Sequence, residues 1–84
     1  MNERIKQLRS RLGMTQQEFA DKLGIKRGTL ANYEIGRNEP IDAVISLICR
    51  EFEVNEVWLR TGEGGDENMF AKLDEDDRFS INLG

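Results

Sequence analysis

The sequence contains no histidine, one cysteine and one proline. Without histidine it lacks the usual general base near neutral pH and the commonest metal ligand. Cys49 has no second cysteine with which to form a disulfide or a zinc pair. On the apolar face of a predicted helix, it is more typical of a small core residue than of a nucleophile. We therefore expect no enzyme, no metal site and no cofactor.

Long apolar runs are also missing. No segment approaches the ~20 apolar residues that span a bilayer, and the N-terminus lacks the apolar core of a signal peptide. The glycines of "TGEGGDE" lack the Gly-Lys-Ser/Thr pattern that binds phosphates, and no small-molecule site is evident. The carboxylates at 74–77 are too closely spaced for a calcium loop, which favours a solvated acidic run. These absences predict a cytoplasmic protein without a membrane partner.

Charge is unevenly distributed along the chain, whose net charge is −4. Residues 1–62 carry ten basic and nine acidic side chains, whereas residues 63–84 carry two basic and seven acidic ones. An acidic protein normally argues against a nucleic-acid partner, but here the acidity lies mostly in the second segment. We predict a domain over 1–62, then an acidic linker or tail over 63–84. Its apolar residues would either dock on the domain or begin a truncated C-terminal region; they are Met69, Phe70, Leu73, Phe79, Ile81 and Leu83.

Five helices and no strand of useful length are predicted in residues 1–62. A capping box opens the second helix, because Thr15 and Glu18 are spaced to bond each other's free backbone N–H groups. This helix begins at residue 16 and ends at Gly24. The inward positions of the other helices are Ile5, Leu8 and Leu12 for helix 1, Leu30 and Tyr33 for helix 3, Ile45, Ile48, Cys49 and Phe52 for helix 4, and Trp58 for helix 5.

A short turn, Gly24-Ile25-Lys26, separates the second helix from a third over 27–34. Such a turn suits two helices that meet at a steep angle, as in a helix-turn-helix. The small side chain of Ala20 allows the third helix to approach closely. Gly36 is placed to supply a left-handed residue after the third helix ends.

The third predicted helix has an unfavourable start. Lys26 and Arg27 place positive charge at the end of the helix that favours anions, and Gly28 costs roughly 1 kcal/mol against alanine in a helix. Both choices become reasonable if this end binds phosphate and lies in the electronegative groove of DNA. The sequence therefore favours a DNA-binding role for this helix.

The outer face of the same helix carries Arg27, Gly28, Ala31 and Asn32. Arginine can bind guanine, and asparagine adenine, through two hydrogen bonds each, while alanine can contact the methyl group of thymine. Gly28 and Ala31 leave room for the backbone to approach base edges. Plain solvent exposure is the alternative, but the capping box and short turn in register favour base reading.

The stretch "LGMTQQEFADKLGIKRGTLANYEIGRNEP", with "VNEVWLRTGE" after it, resembles the lambda-repressor-like (Cro and phage-repressor, XRE-type) DNA-binding domains. The resemblance covers nearly all of residues 2–62. It implies an all-α, five-helix fold in which helices 2 and 3 form the helix-turn-helix. It also implies a homodimer bound to a near-palindromic operator in double-stranded DNA.

The resemblance further implies functional residues by position. Gln16 matches a glutamine that hydrogen-bonds a phosphate. Arg9 and Glu34 match a pair that in some relatives forms a buried salt bridge, which would orient the third helix more than stabilise the fold. The expected DNA-contacting residues are Gln16, Gln17, Lys26, Arg27, Gly28, Thr29, Ala31, Asn32, Arg37 and Asn38.

Two departures from the family pattern matter. Gly28 stands where many relatives carry a base-reading side chain, and Glu39 replaces a basic residue in the following loop, which argues against a minor-groove contact. Both departures predict that one copy of the domain binds half of the operator with modest affinity, so that tight binding depends on two copies pairing. The apolar residues Ile41, Val44, Leu47 and Val57 are expected to pair two copies, the alternative being that helix 5 or the tail covers them.

The leading functional hypothesis is a sequence-specific transcriptional repressor of phage, mobile-element or host origin. An antitoxin that represses its own operon, with a toxin-binding tail, and a restriction-modification controller are variants on the same fold. A protein-interaction module without DNA binding is the alternative of another class. The net charge favours that module, whereas Gln16, Lys26, Arg27 and Arg37 on one side of the domain argue against it.

Overall fold

Five α-helices and one 3-10 turn form the fold of residues 1–71. The computed structural model describes residues 1–71. Its helices are α1 (Asn2–Arg11), α2 (Gln16–Leu23), α3 (Arg27–Glu34), α4 (Asp42–Phe52) and α5 (Glu56–Thr61), and the 3-10 turn spans Asp66–Asn68. The predicted all-α fold, with α2 and α3 as the helix-turn-helix, is confirmed. The predictions for the acidic run and for the apolar residues after 71 lie outside the described residues.

Local capping explains where α2 begins and ends. The Thr15 hydroxyl accepts the Glu18 N–H at 3.1 Å, and the Glu18 carboxylate accepts the Thr15 N–H at 2.9 Å. Gly24 ends the helix with a φ of 71°, a left-handed conformation that glycine adopts without strain. These two ends fix the length of α2 and therefore the point where the turn into α3 starts.

In the part of the chain that the structure describes, one apolar core holds the helices together. α3 packs against α1 and α2, while α4 connects α2 to α5. Phe19 of α2 stacks on Phe52 of α4 with ring centroids 4.7 Å apart. Cys49 packs at the edge of the core, where burial, with a smaller contribution from Glu56, raises the pKa of its thiol to about 11. The largest fully buried side chains are Trp58, Phe19, Ile5, Leu8, Leu30, Ile48, Leu59 and Met69.

None of the helices in residues 1–71 combines the length and apolar content needed to cross a membrane.

The segment after α5 packs onto the domain. Met69 is only 1% exposed and lies in the core. An antiparallel bridge joins Val54 and Phe70, and it is flanked by hydrogen bonds from the Asn55 N–H to the Met69 carbonyl (2.9 Å) and from the Ala71 N–H to the Glu53 carbonyl (2.8 Å). The described packing therefore extends beyond residue 62, the predicted end of the domain, and Met69 and Phe70 dock on it.

Replacing Met69 by alanine should lower the free energy of unfolding by about 2–4 kcal/mol, because it leaves a cavity in the core. Urea unfolding followed by circular dichroism measures this change. Glu67→Ala, an exposed change in the same segment, should stay within about 0.5 kcal/mol of the native chain. Equal effects of the two substitutions would contradict the docking of Met69.

Candidate nucleic-acid interface

α3 presents one side to the core and the other to solvent. Leu30 is fully buried, as predicted, whereas Tyr33 is only half-buried against the core. Lys26, Arg27 and Gly28 at the start of the helix are exposed. The remaining predicted contact residues of this helix, which are Thr29, Ala31 and Asn32, are half-buried. The exposed edge of α3 is therefore its N-terminal turn.

The N-terminal turn of α3 has the features of an anion site. Lys26 is the N-cap residue, but its side chain makes no capping hydrogen bond, and the first turn contains no acidic residue. The positive end of the helix thus faces solvent with two cations beside it. A Cβ built on Gly28 would have no atom within 4 Å, and the φ of Gly28 is not positive. Neither packing nor backbone conformation requires glycine at this position.

A buried ion pair holds the other end of α3. Glu34 is 6% exposed. Its carboxylate accepts hydrogen bonds from Arg9 Nε at 2.7 Å and from Arg9 Nη2 at 3.1 Å. The hydrogen bond with Glu34 raises the pKa of Arg9 above its ordinary value. This two-point contact fixes α3 against α1.

Gln16 and Gln17 face different partners. The Gln16 side chain donates to the Glu34 carboxylate at 3.1 Å and accepts from Arg27 Nη1 at 3.4 Å. The Gln17 amide donates to the Asp21 carboxylate, within α2, at 2.8 Å. The phosphate contact expected of Gln16 stays a prediction. Its link to Glu34 and Arg27 was not foreseen from the sequence, which gives no signal for it.

The loop after α3 places two further residues that are predicted to contact DNA near the C-terminal end of α3. The backbone N–H groups of Arg37 and Asn38 both donate to the Asn32 carbonyl, at 2.9 and 3.4 Å. Both side chains are exposed. Since α3 has eight residues, its two ends are separated by ~12 Å, with Lys26 and Arg27 at one end and the loop that carries Arg37 after the other. Asn2, which the sequence analysis missed, donates from its side chain to the Glu34 carbonyl at 3.3 Å and caps the same end.

The predicted apolar contact surface is divided in two. Ile41 and Val57 are 68% and 49% exposed, whereas Val44 and Leu47 are half-buried and pack against the core. Arg60 pairs with Asp42 at 3.1 Å and with Glu56 at 2.7 Å. These two acids adjoin Ile41 and Val57 in the chain, so the Arg60 pairs link the two segments that carry the exposed apolar residues.

Within residues 1–71, no group of three His, Cys, Asp or Glu side chains is placed to hold a metal ion, and no pocket is found. The chemical features of this part of the chain are its exposed cations, hydrogen-bonding amides and apolar side chains. A family model described as a helix-turn-helix domain matches residues 2–65. The chain belongs to the helix-turn-helix family. The lambda-repressor-like resemblance predicted from the sequence is confirmed.

Several curated relatives of this helix-turn-helix chain carry related names. It is 50% identical over 60 residues to the SPbeta prophage-derived uncharacterized HTH-type transcriptional regulator YonR of Bacillus subtilis, covering 71% of this chain and 56% of YonR. It is 35% identical over 66 residues to the uncharacterized HTH-type transcriptional regulator YqaE of the same organism, covering 79% and 57%. It is 39% identical over 57 residues to Antitoxin PezA of Streptococcus pneumoniae, covering 68% and 36%.

The helix-turn-helix chain thus aligns with little more than half, or less, of each of these relatives. No solved structure matches the chain significantly.

Proposed function

We propose that this chain is a sequence-specific transcriptional regulator that binds double-stranded DNA in the cytoplasm, of the repressor type carried by phages and mobile elements. In this proposal α3 reads the major groove and the flanking cations bind phosphates. One observation carries it: an exposed helix N-terminus beside Lys26 and Arg27, with a glycine at residue 28 that the folded chain does not need. Close approach of DNA to that turn would explain both the cations and the glycine.

The relatives support the same function. Two of them are named as HTH-type transcriptional regulators, and one of these is named as derived from a prophage. The expected contact residues fall on α3, on the first turn of α2 and on the loop at 37–38, all within the segment that the family model matches.

Selection of the purified 84-residue chain on a random-sequence DNA pool, followed by a salt titration, tests the proposal. We expect an enriched inverted repeat and an affinity that falls steeply as salt rises. Absence of binding at low salt would overturn the DNA-binding function and would favour the protein-interaction module.

Gly28→Ala should change folding stability and DNA affinity in opposite directions. The free energy of unfolding should rise by up to ~1 kcal/mol, because alanine favours helix and no atom obstructs its Cβ. The affinity for the selected site should fall about fivefold or more if DNA approaches this turn closely, which corresponds to a loss of about 1 kcal/mol. Thermal unfolding and fluorescence anisotropy measure the two quantities.

Ser46→Ala, at an exposed position of α4, is the matched control for Gly28→Ala. It should raise stability slightly without changing DNA affinity. If Gly28→Ala behaves in the same way, DNA does not approach α3 at residue 28.

We further propose that two copies pair through Ile41 and Val57 to bind the two half-sites of the operator. The proposal is supported by the exposure of both apolar side chains and by the charges of both signs around them. Two-fold pairing lets Arg60 of one copy face acids of the other. Recognition helices ~34 Å apart would then reach successive major grooves on one face of the duplex.

Ile41→Asp should weaken self-association while stabilising each copy. Ile41 is the N-cap of α4 and has no side-chain capping bond, so aspartate there should add about 0.5–2 kcal/mol to the free energy of unfolding. A charge at a paired apolar position should raise the dimer dissociation constant about tenfold or more. Sedimentation velocity measures self-association, with Ile35→Asp as a control at a similarly exposed position outside the surface. Equal effects of both variants would refute the proposed interface.

An antitoxin-type autoregulator is a second candidate, which the likeness to Antitoxin PezA favours. In this form the same DNA-binding surface is kept, and the segment over 63–84 binds the toxin. The test is titration of the chain with the protein encoded beside it. If the chain binds that protein and loses this binding when residues 72–84 are removed, the antitoxin function is supported. If it does not bind that protein, the repressor function is favoured.

A further inference from the structure

The side chain of Arg4 connects α1 to the short helix that carries one residue of the proposed pairing surface. We infer that Arg4 is a positioning residue, which fixes α5 against α1 and thereby sets the half-site spacing that a pair of copies accepts. The inference rests on the proposed DNA-binding function and on pairing through Ile41 and Val57. It concerns the distance between the two recognition helices and not the contacts that either helix makes with bases.

Arg4 binds the C-terminal end of α5 at two points. Its Nε donates to the Leu59 carbonyl and its Nη2 donates to the Arg60 carbonyl, each at 2.8 Å. Both carbonyls lie in the last turn of α5, where a helix leaves its carbonyl groups without partners of its own. The positive guanidinium is favourable there, because the C-terminal end of a helix is negative. Since both donors belong to one rigid plane, they restrain the direction of the helix end as well as its position.

Gly62 leaves the room that this contact needs. A Cβ built on Gly62 would lie 3.1 Å from Arg4 Nη1, which is a tight contact. The φ of Gly62 is 78°, a left-handed conformation that glycine adopts more readily than other residues. The residue that ends α5 therefore suits both the turn and the guanidinium beside it.

The position of α5 depends on attachments to the rest of the domain. It has six residues, and a helix this short is not stable by itself in water. It packs on α4, and the contact with Arg4 adds a connection to α1. The start of the helix is fixed separately by Asn55, whose side chain accepts the N–H groups of Val57 and Trp58. Arg4 therefore supplies the attachment at the other end.

The same helix carries part of the pairing surface. Val57 and Arg60 lie on α5, and the Arg60 side chain binds Asp42, which follows Ile41 in the chain. Arg4 thus holds the carbonyl of the residue whose side chain joins the two parts of the surface. Loss of the Arg4 contact is therefore expected to loosen the pairing surface together with α5.

α1 relates the position of α5 to that of the recognition helix, α3. Arg9, five residues after Arg4, binds Glu34 at the end of α3. Five residues of helix correspond to a rise of ~7.5 Å and a rotation of ~140°, so the two arginines project to different sides of α1. α1 also packs directly on α3. In a two-fold pair, the position of α3 relative to α5 determines how far apart the two recognition helices lie.

Operators of altered spacing test the inference. Arg4→Met is compared with the native chain and with Arg11→Met, a matched control that removes an exposed arginine from the same helix. The probes are the duplex enriched in the selection experiment, the same duplex with one base pair inserted between its half-sites, and a duplex with one half-site only. One inserted base pair moves the second half-site by ~3.4 Å and turns it by ~35°. Fluorescence anisotropy measures the affinities.

We expect the insertion to lower affinity about tenfold or more for the native chain and for Arg11→Met. For Arg4→Met it should lower affinity only about threefold, because a loosely held α5 accommodates the displaced half-site. Affinity of Arg4→Met for the enriched duplex should fall about fivefold, whereas its affinity for the single half-site should stay within about twofold of that of Arg11→Met.

The ratio between the two spacings is a readout that a purely structural role would not move. Partial unfolding or a lost charge would weaken binding to both duplexes alike. Arg4→Lys keeps the charge but lacks the planar fork that binds two carbonyls, so its spacing ratio should also fall. This variant serves if the methionine variant fails to fold.

Each outcome decides between named alternatives. A native spacing ratio in both Arg4 variants would overturn the inference. A loss of affinity for the single half-site as large as that for the enriched duplex would also overturn it, and would assign Arg4 to domain stability or to a direct DNA contact.

The native chain alone tests the assumptions on which the inference rests. If it binds no duplex at low salt, the proposed DNA-binding function has failed and the inference fails with it. If it binds the single half-site as tightly as the enriched duplex, the pairing has failed. Both results differ from a native chain that prefers the enriched spacing while the Arg4 variants keep that preference.

Discussion

Arg9→Met is expected to lower the free energy of unfolding by about 3 kcal/mol, because it leaves a buried carboxylate without its charged partner. Glu34 is 6% exposed and accepts two hydrogen bonds from Arg9. Gln16 contributes one further donor but no charge. Urea unfolding at neutral pH measures the loss.

Two further variants serve as controls for the predicted effect of Arg9→Met. Arg11→Met removes an exposed arginine from the same turn of α1 and should change stability by no more than about 0.5 kcal/mol. Arg9→Met combined with Glu34→Leu should recover most of the loss, because an apolar replacement of a whole buried pair is often neutral. A loss for Arg9→Met as small as that for Arg11→Met would show that the pair contributes little.

The buried pair also bears on function. If it mainly orients α3, the double variant should regain stability and still bind operator DNA poorly, since the helix has lost its fixed partner on α1. Recovery of both properties would assign the pair to stability alone.

Both ends of α2 and the start of α5 were predictable from the sequence, because they are set by residues close in the chain. The capping box formed by Thr15 and Glu18 starts α2 at the predicted residue, and Gly24 ends it there. Asn55 likewise starts α5, where its side chain accepts the N–H groups of Val57 and Trp58. Such signals need no knowledge of the tertiary structure.

Contacts between residues that are far apart in the sequence were harder to predict. Met69 docks in the core after a glycine-rich stretch that has the composition of a linker, and its partners lie on earlier helices. The side chain of Asn2 caps α3 across 32 residues of sequence. Neither contact has a periodic pattern or a capping motif, so tertiary packing alone determines it.

For the candidate site, residue types and helix positions were predictable, but side-chain partners were not. The exposure of Gly28 follows from helical periodicity, because it lies opposite buried Leu30, whereas Lys26 and Arg27 are exposed at the N-terminal end of the helix. The bridging position of Gln16 depends on the angle between α2 and α3. The short turn between the two helices indicates a steep angle, but the exact angle follows from packing.

Arg27→Glu should weaken binding to the enriched duplex about a hundredfold or more, because it would remove the base or phosphate contact that we propose for Arg27 and would add repulsion by the DNA backbone. Fluorescence anisotropy at several salt concentrations measures the loss. Arg50→Glu, in the last turn of α4, makes the same change in net charge away from α3 and should weaken binding far less. If both variants lose a comparable amount of DNA affinity, the effect of Arg27→Glu is due to the change in net charge and not to a contact made by Arg27.

Folding stability should move in the opposite direction in the Arg27→Glu variant. Residue 27 is exposed in the first turn of α3, where a negative charge interacts favourably with the helix dipole by about 0.3–1 kcal/mol. A side chain kept against the stability of its own helix is explained by an anionic partner, which in the proposed function is DNA. Higher thermal stability combined with lost DNA affinity would therefore support DNA binding. If the DNA affinity of Arg27→Glu is unchanged, the proposed DNA-binding function loses its strongest support.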